Sequence, residues 1–127
     1  MKILFTSLIL ATCLLIAGTA SAAPMAFTQS AFNQLQQAGK SILIEVHAPW
    51  CPTCRAQATI LDTLLNEKEN QSINTLRVDF DSQKDVLKML NVSRQSTLIT
   101  YKGFKEIGRS TGDTSSASIK KLLQKTI

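Results

Sequence analysis

Cysteine, histidine and aromatic residues are all scarce in this 127-residue chain. It has three cysteines, one histidine, one tryptophan, one tyrosine and five phenylalanines. Proteins that bind single-stranded nucleic acid stack bases on aromatic side chains, so the scarcity argues against a nucleic-acid partner despite the formal net charge of +5. A structural zinc site needs four ligands, and beside Cys51 and Cys54 the chain offers only Cys13 and His47. We therefore expect neither nucleic-acid binding nor structural zinc.

The sequence also lacks an apolar run of the ~20 residues that a membrane-spanning helix needs. Its N-terminal apolar run covers only residues 3–18, follows the basic Lys2 and precedes small residues at positions 20–22. This pattern predicts a cleaved signal peptide over residues 1–22 and a mature domain over residues 23–127. We therefore expect a periplasmic or secreted protein, or a membrane-tethered one if the signal is not cleaved.

Cleavage at this position removes Cys13 and leaves one cysteine pair, Cys51 and Cys54. An exported protein that is stapled by disulfides carries several pairs, which this chain does not have. A static disulfide that closes so small a loop also removes little entropy from the unfolded chain. The pair is therefore predicted to be functional rather than structural.

The hydrophobic pattern alternates between strand and helix periods, without repeats or low-complexity segments. Strands are predicted at residues 42–47, 73–80, 97–101 and 106–109. A first helix is predicted from a cap at Thr28 or Ser30 to Gly39. A second is predicted over residues 52–68, with an apolar stripe of Ala56, Ile60 and Leu64 that extends to Leu61. Further helices are predicted over residues 84–91, with a Ser82 and Asp85 capping box, and after Ser116. This order predicts an α/β sheet with helices on both faces.

The most informative motif is Trp50-Cys51-Pro52-Thr53-Cys54, which lies between a predicted buried strand and a predicted long helix. Residues three apart on a helix share a face, so the two sulfurs lie close together. At a helix start, unpaired N–H groups and the helix dipole favour a thiolate at Cys51. Pro52 fits the first helical position, where its missing N–H costs nothing. The motif predicts a redox pair in which Cys51 attacks and the more buried Cys54 acts second.

With this motif and element order, the chain resembles the thioredoxin-like family, in particular its exported thiol–disulfide oxidoreductases. The resemblance covers residues 27–125 and is most specific over residues 45–54 and 97–103. It implies a thioredoxin fold, a central mixed sheet flanked by helices on both faces. It also implies that Cys51 attacks a disulfide and that Cys54 resolves the mixed disulfide.

Glu45 is an acidic residue in the middle of a predicted buried strand. An unpaired buried carboxylate is costly and tends toward its protonated form, which suits proton transfer with Cys54. The resemblance places a buried acid behind the second cysteine, so Glu45 is predicted to be the third catalytic residue. The alternative is a glutamate paired with a basic residue, and Arg77 is the first partner to consider. On a regular strand, the His47 side chain points to the same face of the sheet as Glu45. Three roles stay open for it: a core or boundary residue, a proton relay, or a transient metal ligand with the two cysteines.

The family usually has a cis-proline just before the Thr97 strand, where this chain has Ser96. A non-prolyl cis bond costs ~3–4 kcal/mol, so we predict a trans Gln95–Ser96 bond and an altered peptide groove. The Ser96 hydroxyl is also positioned to hydrogen-bond a thiolate or water. The residues predicted to contact substrate are Trp50, Pro52, Gln95, Ser96 and Thr97.

These features predict a monomeric enzyme that exchanges disulfides with protein thiol substrates. It needs no organic cofactor or metal, because the cysteine pair carries the two electrons. A membrane redox protein is predicted to recycle it. Two alternatives are a thioredoxin-fold carrier of a soft metal such as copper, held by Cys51, Cys54 and His47, and a binding module without catalysis. The direction of exchange depends on the reduction potential, which the sequence does not fix.

Overall fold

The computed structural model describes residues 23–127, and the predicted signal peptide and Cys13 lie outside them. Within this part of the chain one five-stranded sheet has the order β1-β3-β2-β4-β5. The strands are β1 (Met25–Ala26), β2 (Ser41–His47), β3 (Ile73–Asp79), β4 (Thr97–Lys102) and β5 (Lys105–Thr111). The helices are α1 (Gln29–Gln37), α2 (Pro52–Asn66), α3 (Lys84–Met89) and α4 (Ser116–Gln124), with a short 3-10 helix at Lys68–Asn70.

Strand β2 is the centre of the sheet. It pairs in parallel with β3 and antiparallel with β4, and β3 pairs in parallel with β1. Two adjacent parallel strands that follow each other in the chain need a crossover connection. Helix α2 supplies this connection between β2 and β3. Residues 41–46 are all buried, as the unbroken apolar pattern predicts for a strand covered on both faces. The site motif therefore starts from the most enclosed strand of the molecule.

Two hydrophobic cores cover the two faces of the sheet, which confirms the predicted helix placement. The first core joins the sheet to α1 and α3, and includes Phe32, Ile44, Leu76, Leu87 and Ile99. The second joins the sheet to α2 and α4, and includes Leu43, Leu61, Leu64, Leu98, Ile119 and Leu123. A third, small cluster of Ala48, Cys51 and Cys54 lies at the end of β2.

The predicted helices are present, but two details of the sequence interpretation are wrong. Thr28 caps α1 as predicted, because its side chain accepts the N–H of Ala31 at 3.1 Å. Ser82 does not cap α3: its hydroxyl donates to Asp79 instead, at 2.9 Å, and Gln83 takes the cap position. Serine competes in this way for nearby acceptors wherever a turn offers them.

The second error concerns the buried face of α2. Leu61 and Leu64 of the predicted stripe are buried, together with Cys54, Gln57 and Leu65, but Ala56 is exposed and Ile60 only half-buried. The prediction took apolar residues alone to set the phase of the helix. In the structure Cys54 and a polar residue, Gln57, share the inward face.

The predicted β4–β5 hairpin turns at Gly103, whose φ of +56° suits glycine. Strand β1 was not predicted, since two residues are too few to show a period. In residues 23–127 we find no helix with both the length and the apolar character to cross a bilayer.

Candidate active site

The two cysteines lie where β2 passes through a short loop into α2. Cys51 is the N-cap of α2 in an extended conformation, and Pro52 follows at the first helical position, as predicted. The Cys51 sulfur accepts the backbone N–H of Cys54 at 3.1 Å, which satisfies one of the unpaired donors at the helix start. Both residues are free thiols, so this geometry belongs to the reduced pair.

The two sulfurs differ in the balance between burial, which raises the pKa of a thiol, and hydrogen bonds, which lower it. Cys51 is 2% exposed and Cys54 1%, so both are buried and the predicted difference in burial is negligible. Burial raises the pKa of Cys51, but hydrogen bonds from the Cys54 thiol, the Ser96 hydroxyl and nearby backbone N–H groups outweigh it and lower the pKa overall. Burial, together with the hydrogen bond to Cys51, raises the pKa of Cys54. The first cysteine is therefore the one poised as a thiolate.

Ser96 stands directly against the cysteine pair. Residues 23–127 contain no cis peptide bond, which confirms the predicted trans Gln95–Ser96 bond. Ser96 instead adopts a left-handed backbone with φ +62°, unusual for a residue other than glycine. Its hydroxyl oxygen lies 3.2 Å from the Cys51 sulfur and 3.1 Å from the Cys54 sulfur. The predicted contact between this hydroxyl and the thiols is thus present, and it involves both of them.

Gln57 is a site residue that the sequence interpretation missed. It is 1% exposed on α2, one turn after Cys54, and its amide donates to the carbonyl oxygens of Ser96 at 3.1 Å and Asp113 at 2.8 Å. A glutamine spaced three residues after Cys54 and four before Leu61 lies on the inward stripe of α2. That spacing was the signal available in the sequence.

Glu45 is buried on β2 and paired with Arg77 on β3. The two guanidinium bonds, from Nε to Oε2 and from Nη2 to Oε1, are both 3.1 Å long. The Arg77 side chain is 35% exposed, and a groove of about 350 Å³ between α2 and the sheet reaches the pair. The ion pair that the sequence interpretation kept as an alternative is therefore formed. The proton-transfer role of Glu45 stays a prediction.

His47 belongs to this ion pair's surroundings. Its Nδ1 atom is buried, lies 3.9 Å from the Glu45 carboxylate and makes no hydrogen bond within the described chain. Burial, and then the positive charge of Arg77, lower the pKa of His47. Within residues 23–127, His47 and the two cysteines are not arranged as a group of three side chains that could hold a metal ion.

The other predicted substrate residues divide into exposed and enclosed ones. Trp50 is 55% exposed, and its indole N–H donates to Asp81 at 2.8 Å, which fixes the ring beside the cysteines. Pro52 is exposed, Gln95 is half-buried and Thr97 is buried, with its hydroxyl donating to a backbone carbonyl. Of the residues predicted to contact substrate, Trp50 and Pro52 are therefore exposed, Gln95 is half-buried, and Ser96 and Thr97 are buried.

Comparisons with known proteins agree with this geometry. The family model for Thioredoxin matches residues 23–125. A thioredoxin of Chlamydia trachomatis is 36% identical over 84 residues, which cover 66% of this chain and 80% of that protein. The crystal structure of Trxlp from Edwardsiella tarda EIB202 is 36% identical, with a TM-score of 0.77 over 80% of this chain and 98% of that one.

A longer relative carries the name of a protein disulfide-isomerase of Schizosaccharomyces pombe and is 27% identical over 108 residues. These residues cover 85% of this chain but 22% of that protein, so the chain spans about a fifth of its length. The matches confirm the predicted thioredoxin fold. With its Cys51 and Cys54 pair at the start of α2, the chain belongs to the thioredoxin family of thiol–disulfide oxidoreductases.

Proposed function

We propose that this protein exchanges disulfides with protein substrates through a mixed disulfide at Cys51. The observation that carries the proposal is the cap position of Cys51, whose sulfur accepts the Cys54 N–H at 3.1 Å. Hydrogen bonds from the Cys54 thiol, the Ser96 hydroxyl and the Cys54 backbone N–H hold the pKa of Cys51 below its ordinary value despite burial, while burial raises that of Cys54. An attacking and a resolving thiol need this difference.

The reaction proceeds in two exchanges. The Cys51 thiolate attacks one sulfur of a substrate disulfide, the substrate S–S bond breaks, and the second substrate sulfur leaves with the electron pair and takes a proton from water. The Cys54 thiolate then attacks the Cys51 sulfur and releases the first substrate sulfur in the same way. Two electrons pass from the cysteine pair to the substrate, and the reverse sequence oxidises a substrate dithiol.

Substrate binding is proposed at the end of the sheet around the cysteines. Trp50 and Pro52 offer exposed apolar surface there, and Gln95 offers a half-buried amide. The backbone N–H and carbonyl of Ser96 are already bonded to Val46, Gly112 and Gln57. They are not free to hold an added peptide strand, so a substrate must use other groups.

The proposal includes export and recycling. The N-terminal pattern of a basic start, an apolar run and small residues supports cleavage after residue 22 and a periplasmic or secreted monomer. In such a compartment a membrane redox protein would return the cysteine pair to its working state. Mass spectrometry of the protein from a periplasmic extract is expected to find residues 23–127, and a mass that includes residue 1 would contradict cleavage.

Trapping the intermediate tests the central step. The reduced variants Cys54→Ser and Cys51→Ser are incubated with insulin as a reporter disulfide and run on a non-reducing gel. Cys54→Ser is expected to form a covalent adduct with an insulin chain, because its Cys51 attacks and nothing resolves the bond. Cys51→Ser is expected to form none. An adduct with Cys51→Ser alone would reverse the roles, and no adduct with either variant would contradict the proposal.

A further inference from the structure

The backbone at Ser96 is fixed from three sides in its left-handed conformation. Its N–H donates to the Val46 carbonyl at 3.0 Å, and its own carbonyl accepts the N–H of Gly112 at 2.9 Å. The third bond comes from the buried Gln57 amide. A serine pays for a positive φ with steric strain, so these bonds must hold it there.

Gln57 connects that backbone to the helix that carries the cysteines. Its amide nitrogen donates two hydrogen bonds, to Ser96 and to Asp113 in the loop between β5 and α4. A buried amide is costly unless its polar atoms are bonded, so its position on the inward face of α2 is not explained by hydrophobic packing. Its bond to the Ser96 carbonyl links the backbone of Ser96 to the helix that carries Cys54.

The Ser96 hydroxyl has one proton to donate and two lone pairs to accept with. Two sulfurs lie at nearly equal distances from it, 3.2 Å for Cys51 and 3.1 Å for Cys54. When Cys51 is a thiolate, the hydroxyl donates its proton to that sulfur, and the Cys54 S–H has the Cys51 sulfur and the Val46 carbonyl as acceptors. When Cys51 is bonded to a substrate, the same proton is free to turn to Cys54.

We propose that the Ser96 hydroxyl is a further catalytic group, which stabilises the Cys51 thiolate in the free dithiol and the Cys54 thiolate in the mixed disulfide, with Gln57 as its positioning residue. The inference rests on the proposed disulfide exchange. In the resolving step Cys54 first loses its proton to solvent, and the hydroxyl then donates to the resulting anion. The Cys54–Cys51 bond forms, the Cys51–substrate bond breaks, and the electron pair leaves with the substrate sulfur.

The role proposed for the hydroxyl predicts in which direction the redox equilibrium of the cysteine pair changes when the hydroxyl is removed. A hydrogen bond to an anion is stronger than one to a neutral acceptor, and a disulfide sulfur carries no negative charge. The hydroxyl therefore favours the reduced form. Removing it is expected to shift the equilibrium with glutathione toward the disulfide about tenfold, which corresponds to about 30 mV for this two-electron couple.

The test compares Ser96→Gly and Ser96→Ala with the wild type. Both variants remove the hydroxyl, but glycine adopts a positive φ without strain and alanine does not. Two quantities are measured without any protein substrate: the equilibrium constant with glutathione and the pH midpoint of thiolate formation at Cys51. Both variants are expected to shift the equilibrium with glutathione about tenfold toward the disulfide. Both are also expected to raise the pH midpoint of thiolate formation at Cys51.

Two further variants distinguish the effect of the position of the Ser96 hydroxyl from the effect of losing any buried polar group. Gln57→Met keeps the length of the side chain but removes its donors, and is expected to move both quantities in the same direction by about threefold, since two backbone bonds to Ser96 remain. Thr100→Val removes a different buried hydroxyl from β4, one bonded to the Gly108 carbonyl, and is expected to leave both within twofold.

The proposal is overturned if both Ser96 variants keep the glutathione constant and the pH midpoint within twofold of wild type, even when Cys54→Ser still traps insulin. It is also overturned if only Ser96→Ala shifts them, because strain and not the hydroxyl would then be the cause. A shift in both variants without any trapped insulin would support the hydroxyl's effect and contradict the disulfide exchange.

Discussion

Two buried polar clusters lie against α2, and they use hydrogen bonds in opposite ways. In the ion-pair cluster, Arg77 holds the Glu45 carboxylate through two bonds of equal length. In the sulfur cluster, the Ser96 hydroxyl has one proton for the two sulfurs of Cys51 and Cys54. A bidentate pair fixes one arrangement of charge, whereas a shared hydroxyl can change partner as the sulfurs change charge. We therefore expect the first cluster to support the structure and the second to take part in the proposed redox chemistry.

The largest loss of stability is expected when Arg77, the partly exposed member of the ion-pair cluster, is removed. Arg77→Ala leaves the Glu45 carboxylate buried without a counter-charge and is expected to cost about 3 kcal/mol. Glu45→Gln is expected to cost less than about 1 kcal/mol, because the guanidinium that remains is 35% exposed and keeps contact with water. Urea unfolding of both variants measures the difference.

The double variant Glu45→Leu with Arg77→Met is the control for this asymmetry. It removes both charges and fills similar volume, so its stability is expected to lie near that of the wild type. Equal losses for the two single variants would show that the pair's charges are screened by water and that the cluster gives little structural support.

The next effect concerns the backbone of the sulfur cluster. Ser96→Pro imposes a φ near −65° where the chain has +62°, and it removes the N–H that donates to Val46. We expect a loss of about 2 kcal/mol, since the loop must change its path and a buried acceptor loses its donor. Ser96→Gly keeps both the φ and the N–H, so its unfolding midpoint serves as the control. A proline variant as stable as the glycine variant would show that the loop has room for a cis bond.

A kinetic comparison tests directly which cluster serves Cys54. Reaction with a nitrobenzoate disulfide releases one coloured thiolate when Cys51 attacks and a second when Cys54 resolves. Ser96→Ala is expected to slow the second phase about tenfold, and Glu45→Gln about twofold. A slower second phase for Glu45→Gln than for Ser96→Ala would transfer the proton chemistry to Glu45, the role predicted from the sequence.

The smallest effect is a pH dependence of stability from the ion-pair cluster. Burial, together with the charge of Arg77, lowers the pKa of His47 in the folded protein, so the unfolded chain takes up a proton first as the pH falls. The stability that the neutral histidine contributes is fully present above pH 6.5, its pKa in the unfolded chain. It is lost as the pH falls from there toward the lower pKa of the folded protein. His47→Gln is expected to remove this slope, worth less than about 1 kcal/mol. An unchanged slope in that variant would assign it to another group.

Periodicity was sufficient for most of the fold. An unbroken apolar run predicted the buried β2, and the spacing of turns predicted the hairpin at Gly103. It failed where the deciding interaction is not periodic. The two-residue β1 has no period, and the Ser82 hydroxyl donates to Asp79 instead of accepting an N–H at the start of α3.

The site was predictable in its chemistry but not in its geometry. The spacing of Cys51 and Cys54 indicated the thiol pair, whereas the proton-transfer role predicted for Glu45 stays a prediction. The left-handed φ of Ser96 could not be predicted, because it depends on tertiary hydrogen bonds with Val46 and Gln57 rather than on the residue's own preference. Gln57 itself was overlooked because only apolar residues were used to set the phase of α2.

The measurement that tests the account most directly is alkylation of the reduced wild-type protein with a limiting amount of iodoacetamide at several pH values. Peptide mapping then reports which cysteine carries the label. Because hydrogen bonds outweigh burial at Cys51 and lower its pKa, while burial raises that of Cys54, the account predicts label on Cys51 at every pH, with a midpoint below the ordinary thiol value. Label appearing first on Cys54 would contradict it.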